Sequence, residues 1–158
     1  MIWVLILFHV VVNLVWLKLD QLPPAWDQAF HLKSVVLTNQ YLTGQFWGSF
    51  IDLIKSFYAY PPLVYFLTTP YTLLVGLGIS RITFFNSFFL GLGLWGIYQI
   101  GILVFKNKRW AFLSALLFSL MPVAYDTSRN FLLDMPLLTW VIWGLYFFLR
   151  SKYLTKNK

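Results

Sequence analysis

The chain contains no cysteine and no glutamate. The first absence excludes disulfides, thiolate catalysis and Cys-ligated zinc. The second leaves five acids in 158 residues, all of them Asp. Histidine is nearly as scarce. His9 and His31 lie far apart in sequence and character, which leaves a histidine-built metal centre without a ligand set. Charge of any sign is thin, at 11% of residues against about 25% in soluble proteins, while 59% are hydrophobic and 21% aromatic. That balance excludes an ordinary water-soluble domain and indicates an all-α integral membrane protein. Repeats, low-complexity tracts and Gly/Ser linkers are also missing, so residues 1–158 are expected to form a single membrane domain. The net charge of +7 does not point to nucleic acid, because the basic residues flank apolar segments, where they orient spans.

Four long apolar segments are present, Ile2–Leu17, Pro61–Ile79, Ile82–Phe105 and Trp110–Tyr125; a fifth, Leu132–Leu149, is interrupted only by Asp134. A bilayer span needs about 20 such residues. The first segment has neither a basic n-region nor a small-residue cleavage site, so it is expected to be a retained span. If all five cross with the N-terminus inside, Lys106, Lys108, Arg109 and the tail Arg150–Lys158 fall outside, against the positive-inside rule. If Pro61–Ile79 does not cross, the spans become 1–19, 82–105, 110–128 and 132–149. Both basic clusters then face the cytoplasm and all five Asp lie outside. Thr68-Thr69-Pro70 in the middle of that short segment suits a non-crossing course. Five spans with the N-terminus outside satisfy the charge rule equally and would separate Asp27 from Asp134.

Residues 20–81 form the expected outer loop of the four-span arrangement. From Asp27, the residues His31, Ser34 and Thr38 continue one helical row, with Leu32, Val35 and Val36 towards the other side. A second helix over 46–58 would group Phe46, Phe50, Leu53 and Phe57. Two such helices suit the interfacial plane of a bilayer. Pro23-Pro24 before Asp27 marks a helix start.

A carboxylate near hydrocarbon is costly unless it is paired, hydrated or used. Asp27 is the leading candidate, held ionised by the helix start; the plainer reading is a helix cap. His31, one turn on, would pair with it or contact substrate. Asp134 follows Arg129 by five residues where one span ends and the next begins, and its plainer reading is a local ion pair, with Asp126 as a rival partner. Tyr60-Pro61-Pro62-Leu63 leads the chain into an apolar helix. Asp20 and Asp52 look like boundary or solvated residues.

The order of these motifs is a first span, Pro24-Ala25-Trp26-Asp27-Gln28-Ala29-Phe30-His31, Tyr60-Pro61-Pro62-Leu63, two spans around Lys106–Arg109, and Ser128-Arg129 to Asp134-Met135-Pro136. It resembles the amino-terminal part of GT-C glycosyltransferases of the protein O-mannosyltransferase and lipid A aminoarabinose transferase type. In that family an Asp-Glu pair follows the first span, then a Pro-Pro element, then an Arg-x-x-Leu-Leu-Asp-like segment. This chain departs at Gln28, where the family usually has Glu, and at Tyr60, where it often has a basic residue. The resemblance implies a membrane enzyme that takes a sugar from a polyprenyl-phosphate donor to an acceptor hydroxyl on protein, lipid or glycan, with inversion, at the outer face of the cell membrane. It implies Asp27 as catalytic base and Gln28, His31, Tyr60, Arg129 and Asp134 as substrate-binding residues, with Arg129 towards the phosphate. No cofactor is implied beyond the lipid-linked sugar substrate, and divalent metal is left open. Relatives carry many more spans, so the chain would correspond to the amino-terminal portion of a larger module, completed by a C-terminal half or a partner subunit. A non-catalytic member of the family and a transporter fragment are the competing readings.

Overall fold

A computed structural model describes all residues except Gln21, Ala59, Asn157 and Lys158, and side chains through Ser151. The described residues are helical, without strands. The order is α1 (Ile2–Leu19), α2 (Trp26–Leu42), α3 (Phe50–Ser56), α4 (Leu63–Val75), α5 (Ile79–Phe105), α6 (Lys108–Ser119), α7 (Pro122–Thr127) and α8 (Asp134–Lys156).

Among the described residues, α1 and α5 are the helices both long and apolar enough to cross a membrane. The segment expected to span at 110–128 is instead divided. Its first part, α6, has 12 residues and a length of about 18 Å at 1.5 Å per residue, short of a hydrocarbon core of about 30 Å. The break at Leu120-Met121 has a physical cause. Pro122 opens α7 and has no N–H with which to continue the α6 ladder. α4 has 13 residues with Pro70 inside it.

The core runs continuously across seven helices, from Ile2 and Leu5 of α1 through Leu32, Val35, Leu53, Tyr65 and Phe89 to Ala115 of α6 and Met135 of α8. α5 is the central post, packed against α1, α6 and α8. Small residues let the backbones approach closely, as they do where no hydrophobic drive exists between helices in lipid. A methyl group at Gly101 would meet Ala111 Cα at 2.6 Å, and one at Gly96 would meet Ile142 Cγ2 at 2.6 Å. Gly101→Val is therefore expected to lower stability by about 1–3 kcal/mol by forcing α6 from α5, read as a drop in melting temperature. An unchanged melting temperature would mean that the two helices part without cost.

The polar row on α2 behaves differently from an interfacial helix. His31, Ser34 and Thr38 are buried together with Leu32 and Val35, so the row faces α4 instead of water. His31 Nδ1 and Tyr65 Oη share a hydrogen bond at 2.8 Å, and Asn39 Nδ2 donates to Thr72 Oγ1 at 3.2 Å. The remaining hydroxyls turn back on their own helices: Thr38 to the Ser34 carbonyl, Thr68 to that of Val64 and Thr69 to that of Tyr65. A polar stripe buries itself when a second stripe across the seam, or its own backbone, can satisfy it. Phe57 and Leu53, by contrast, are buried as their row predicts.

Candidate active site

The chain enters α2 from the extended Pro23-Pro24-Ala25 segment through Trp26, whose φ of 23° makes an abrupt turn and leaves its ring exposed. Asp27 thus sits in the first turn of α2, and Asp134 in the first turn of α8. Both carboxylates gain from the positive end of a helix. The two helix starts line one cleft of about 440 Å³. Its polar part is Asp27, His31, Tyr60 and Asp134; its apolar walls include Leu63, Pro136, Leu137 and Trp140. No Lys or Arg is among the lining residues.

Tyr60 is placed by its ring. It packs edge-on against His31 at 4.7 Å between centroids and tilted against Phe30 at 5.3 Å. From there its hydroxyl donates to Asp27 Oδ1 across 3.4 Å. A phenol therefore approaches the carboxylate where the resemblance has a basic group.

Burial pushes the His31 imidazole below its ordinary pKa of 6.5, and the charges of Asp27 and Asp134 pull it partly back. The folded state therefore prefers His31 neutral. Its contribution to stability is complete above about pH 6.5 and is lost as pH falls through the lowered folded value. Melting curves across pH 4.5–8 (roughly the His range) should show a decline below 6.5 that is shallower in His31→Phe. Identical pH profiles for the two chains would remove His31 from this linkage.

Gln28 and Arg129 lie outside the cleft. They line a neighbouring pocket of about 210 Å³ together with Asp20, Ser80, Thr83 and Asn130. Arg129 is buried. Its Nε donates to Asn13 Oδ1 at 3.1 Å, and its guanidinium carbon lies 3.5 Å from the centre of the Tyr125 ring and 4.6 Å from that of Trp16. The local ion pair expected with Asp134 or Asp126 is not what holds it. Asp126 instead accepts from Asn130 Nδ2 at 3.0 Å. A buried guanidinium on aromatic faces is stabilised there without a carboxylate.

Two residues with no expected role organise this region. Asn13 Nδ2 donates to Ser87 Oγ at 3.0 Å and Ser128 Oγ at 3.1 Å, tying α1 to α5 and to the end of α7. Asn86 Nδ2 donates to the carbonyls of Thr127, Asn130 and Leu132 at 3.3, 2.8 and 2.9 Å. Those carbonyls lie at the end of α7 and in the connector that delivers Asp134 to the cleft. A single amide inside an apolar run was the available signal for both. Asp20 accepts from the Leu22 N–H at 3.1 Å, and Asp52 forms a capping box with Ser49 at the start of α3. Those Ser49 hydrogen bonds hold the Asp52 carboxyl below its usual range. Among the described residues, no three His or carboxylate side chains are grouped so that they could hold a metal ion.

No curated protein and no solved structure matches the chain. A family model described as dolichyl-phosphate-mannose-protein mannosyltransferase matches residues 59–158. That stretch contains Tyr60, Arg129 and Asp134 and begins after Asp27, Gln28 and His31.

Proposed function

Because this chain belongs to the dolichyl-phosphate-mannose-protein mannosyltransferase family, whose members are membrane glycosyltransferases of the GT-C type, we propose that its cleft moves a sugar from a polyprenyl-phosphate donor to an acceptor hydroxyl. The supporting observation is that Asp27 and Asp134 face one cleft from the starts of two different helices, with apolar walls behind them. A lipid-linked sugar needs this combination, because its sugar is polar and its tail is not.

In the proposed reaction, Asp27 takes the proton of the acceptor hydroxyl. The acceptor oxygen bonds to the anomeric carbon while the bond from that carbon to the phosphate oxygen breaks. Polyprenyl phosphate leaves with the electron pair, and the anomeric configuration inverts. The exposed carboxylate of Asp27 suits a base that must meet an incoming acceptor. Asp134 accepts a hydrogen bond from a sugar hydroxyl and fixes the ring. Tyr60, with His31 behind it, limits the positions Asp27 can adopt. Leu137 and Trp140 offer the apolar surface for the first part of the lipid.

The accompanying topology has four crossings, the third made by α6 and α7 together, places the cleft at the outer face of the cell membrane and leaves both basic clusters in the cytoplasm. The chain has no native Cys, so single cysteines at Gln28, Asn107 and Asn130 can be labelled in intact cells with an impermeant reagent. Labelling at 28 and 130 but not 107 is expected. Labelling at 130 without 28 would place the two carboxylates on opposite sides and end the proposal. Transfer itself is tested by supplying the full chain with a labelled polyprenyl-phosphate sugar. An inserted and folded chain with no transfer in any preparation would favour a non-catalytic member of the family.

A further inference from the structure

The cleft is rich in acceptors and poor in donors. Asp27 and Asp134 offer carboxylate oxygens, and no Lys or Arg lines it. The lining side chains that can donate are Tyr60, already directed at Asp27, and His31. A neutral imidazole has one donor nitrogen and one acceptor nitrogen, so what His31 offers the cleft depends on its tautomer.

That choice is made behind the cleft, on α4. His31 Nδ1 is occupied by its 2.8 Å hydrogen bond with Tyr65 Oη, which leaves Nε2 to serve the cleft that His31 lines. Tyr65 is fully buried, with its ring packed against Phe57 at 5.0 Å and against His31 at 5.9 Å between centroids. Burial pushes the Tyr65 phenol up to about 12, so it keeps its proton and remains a donor. Ser34, also beside this hydroxyl, gives its own proton to the Phe30 carbonyl at 3.0 Å. Two arrangements satisfy these groups. Either Tyr65 donates to Nδ1 and Nε2 carries the proton, or Tyr65 turns to Ser34 and Nδ1 becomes the donor. The second leaves a lone pair on Nε2 towards the cleft. The negative charges of Asp27 and Asp134 both act on His31; they repel that lone pair and favour an N–H in its place.

We propose that Tyr65 is a positioning residue: its buried hydroxyl donates to His31 Nδ1 and fixes the Nε2–H tautomer, giving the cleft a neutral hydrogen-bond donor for a substrate oxygen. An ammonium or guanidinium in that place would pair with Asp27 and weaken it as a base. A neutral N–H supplies the donor without the charge. The use of this donor in transfer rests on the transferase reading; the tautomer itself does not.

The chain has two histidines, so the full chain made with isotope-labelled histidine gives two sets of ring-nitrogen resonances, and His31→Phe identifies one set by its loss. At about pH 8, where imidazole is neutral, coupling of the ring protons to each nitrogen shows which one is protonated. His31 should be protonated at Nε2, and Tyr65→Phe should convert it to a mixture of both tautomers. Tyr65→Phe should also lower transfer about tenfold, the worth of one hydrogen bond. In the His31→Phe background it should lower transfer no further, because Tyr65 acts through that ring. A Tyr65 that only supports the fold would lower transfer by the same factor in both backgrounds. Three results overturn the proposal: protonation of His31 at Nδ1 in the parent chain, an unchanged His31 spectrum in Tyr65→Phe, or equal losses of transfer in the two backgrounds. The first needs no variant of Tyr65 and decides the matter even where Tyr65→Phe does not fold. A chain that never transfers sugar removes the transferase reading, and the spectra alone then decide the role of Tyr65.

Discussion

Asp27→Asn in the full chain is expected to reduce sugar transfer by a factor of about 10²–10⁴, the contribution of a positioned general base. The substitution keeps the size of the side chain and removes its ability to hold the acceptor proton. Folding and insertion should survive. Asp27 is exposed, and among the described residues its one hydrogen bond is a 3.4 Å contact from Tyr60 that an amide oxygen accepts equally well. The informative comparison is therefore between transfer and the melting temperature of the same preparation. Asp134→Asn should lower transfer less, since its proposed role is to accept a hydrogen bond from the sugar, not to take a proton. Full activity in the Asp27 variant would remove the base from the mechanism whatever the topology.

Asn86→Leu should be the most damaging single change to the fold, at roughly 2–4 kcal/mol, because it strips hydrogen-bond donors from buried backbone carbonyls. Asn86 is fully buried in α5 and serves the carbonyls of Thr127, Asn130 and Leu132, in a stretch where the helical ladder is interrupted. Irregular backbone is tolerated at membrane depth only when such groups are met inside the protein. The same change should loosen Asp134, which follows the connector directly. A large fall in melting temperature accompanied by loss of transfer is expected. A variant that melts like the parent chain would show that the connector is held by other contacts.

The sequence exposes the apolar runs, the helix start after Pro23-Pro24 and the positions of Asp27 and Asp134 relative to them, because each follows from local composition. Their meeting in one cleft was legible only through the order of motifs, since 106 intervening positions separate the two residues and no local rule brings them together. The faces of α2 were misassigned for a related reason. A row of His, Ser and Thr has the same periodicity whether it meets water or a second polar row, and the partner row, Tyr65 to Thr72, is more than 30 residues away. Arg129 shows the same limit. Proximity in sequence favoured Asp126 and Asp134, while its hydrogen-bond partner lies 116 residues upstream on α1. Asn13 and Asn86 were visible as polar residues inside apolar runs, but their partners were not.

The seam between α2 and α4 joins amide, imidazole and hydroxyl groups. If it opened to water, each of those groups would be rehydrated and little would be lost. If it opened to hydrocarbon, each would be stranded. Wherever hydrocarbon borders the joint, it would be kept shut by that surrounding as much as by its own bonds, and its strength should rise with the depth at which the pair sits in the bilayer. Thinning the membrane around this protein would loosen the wall that carries His31 and Asp27 before it disturbed the glycine-packed contacts of α5.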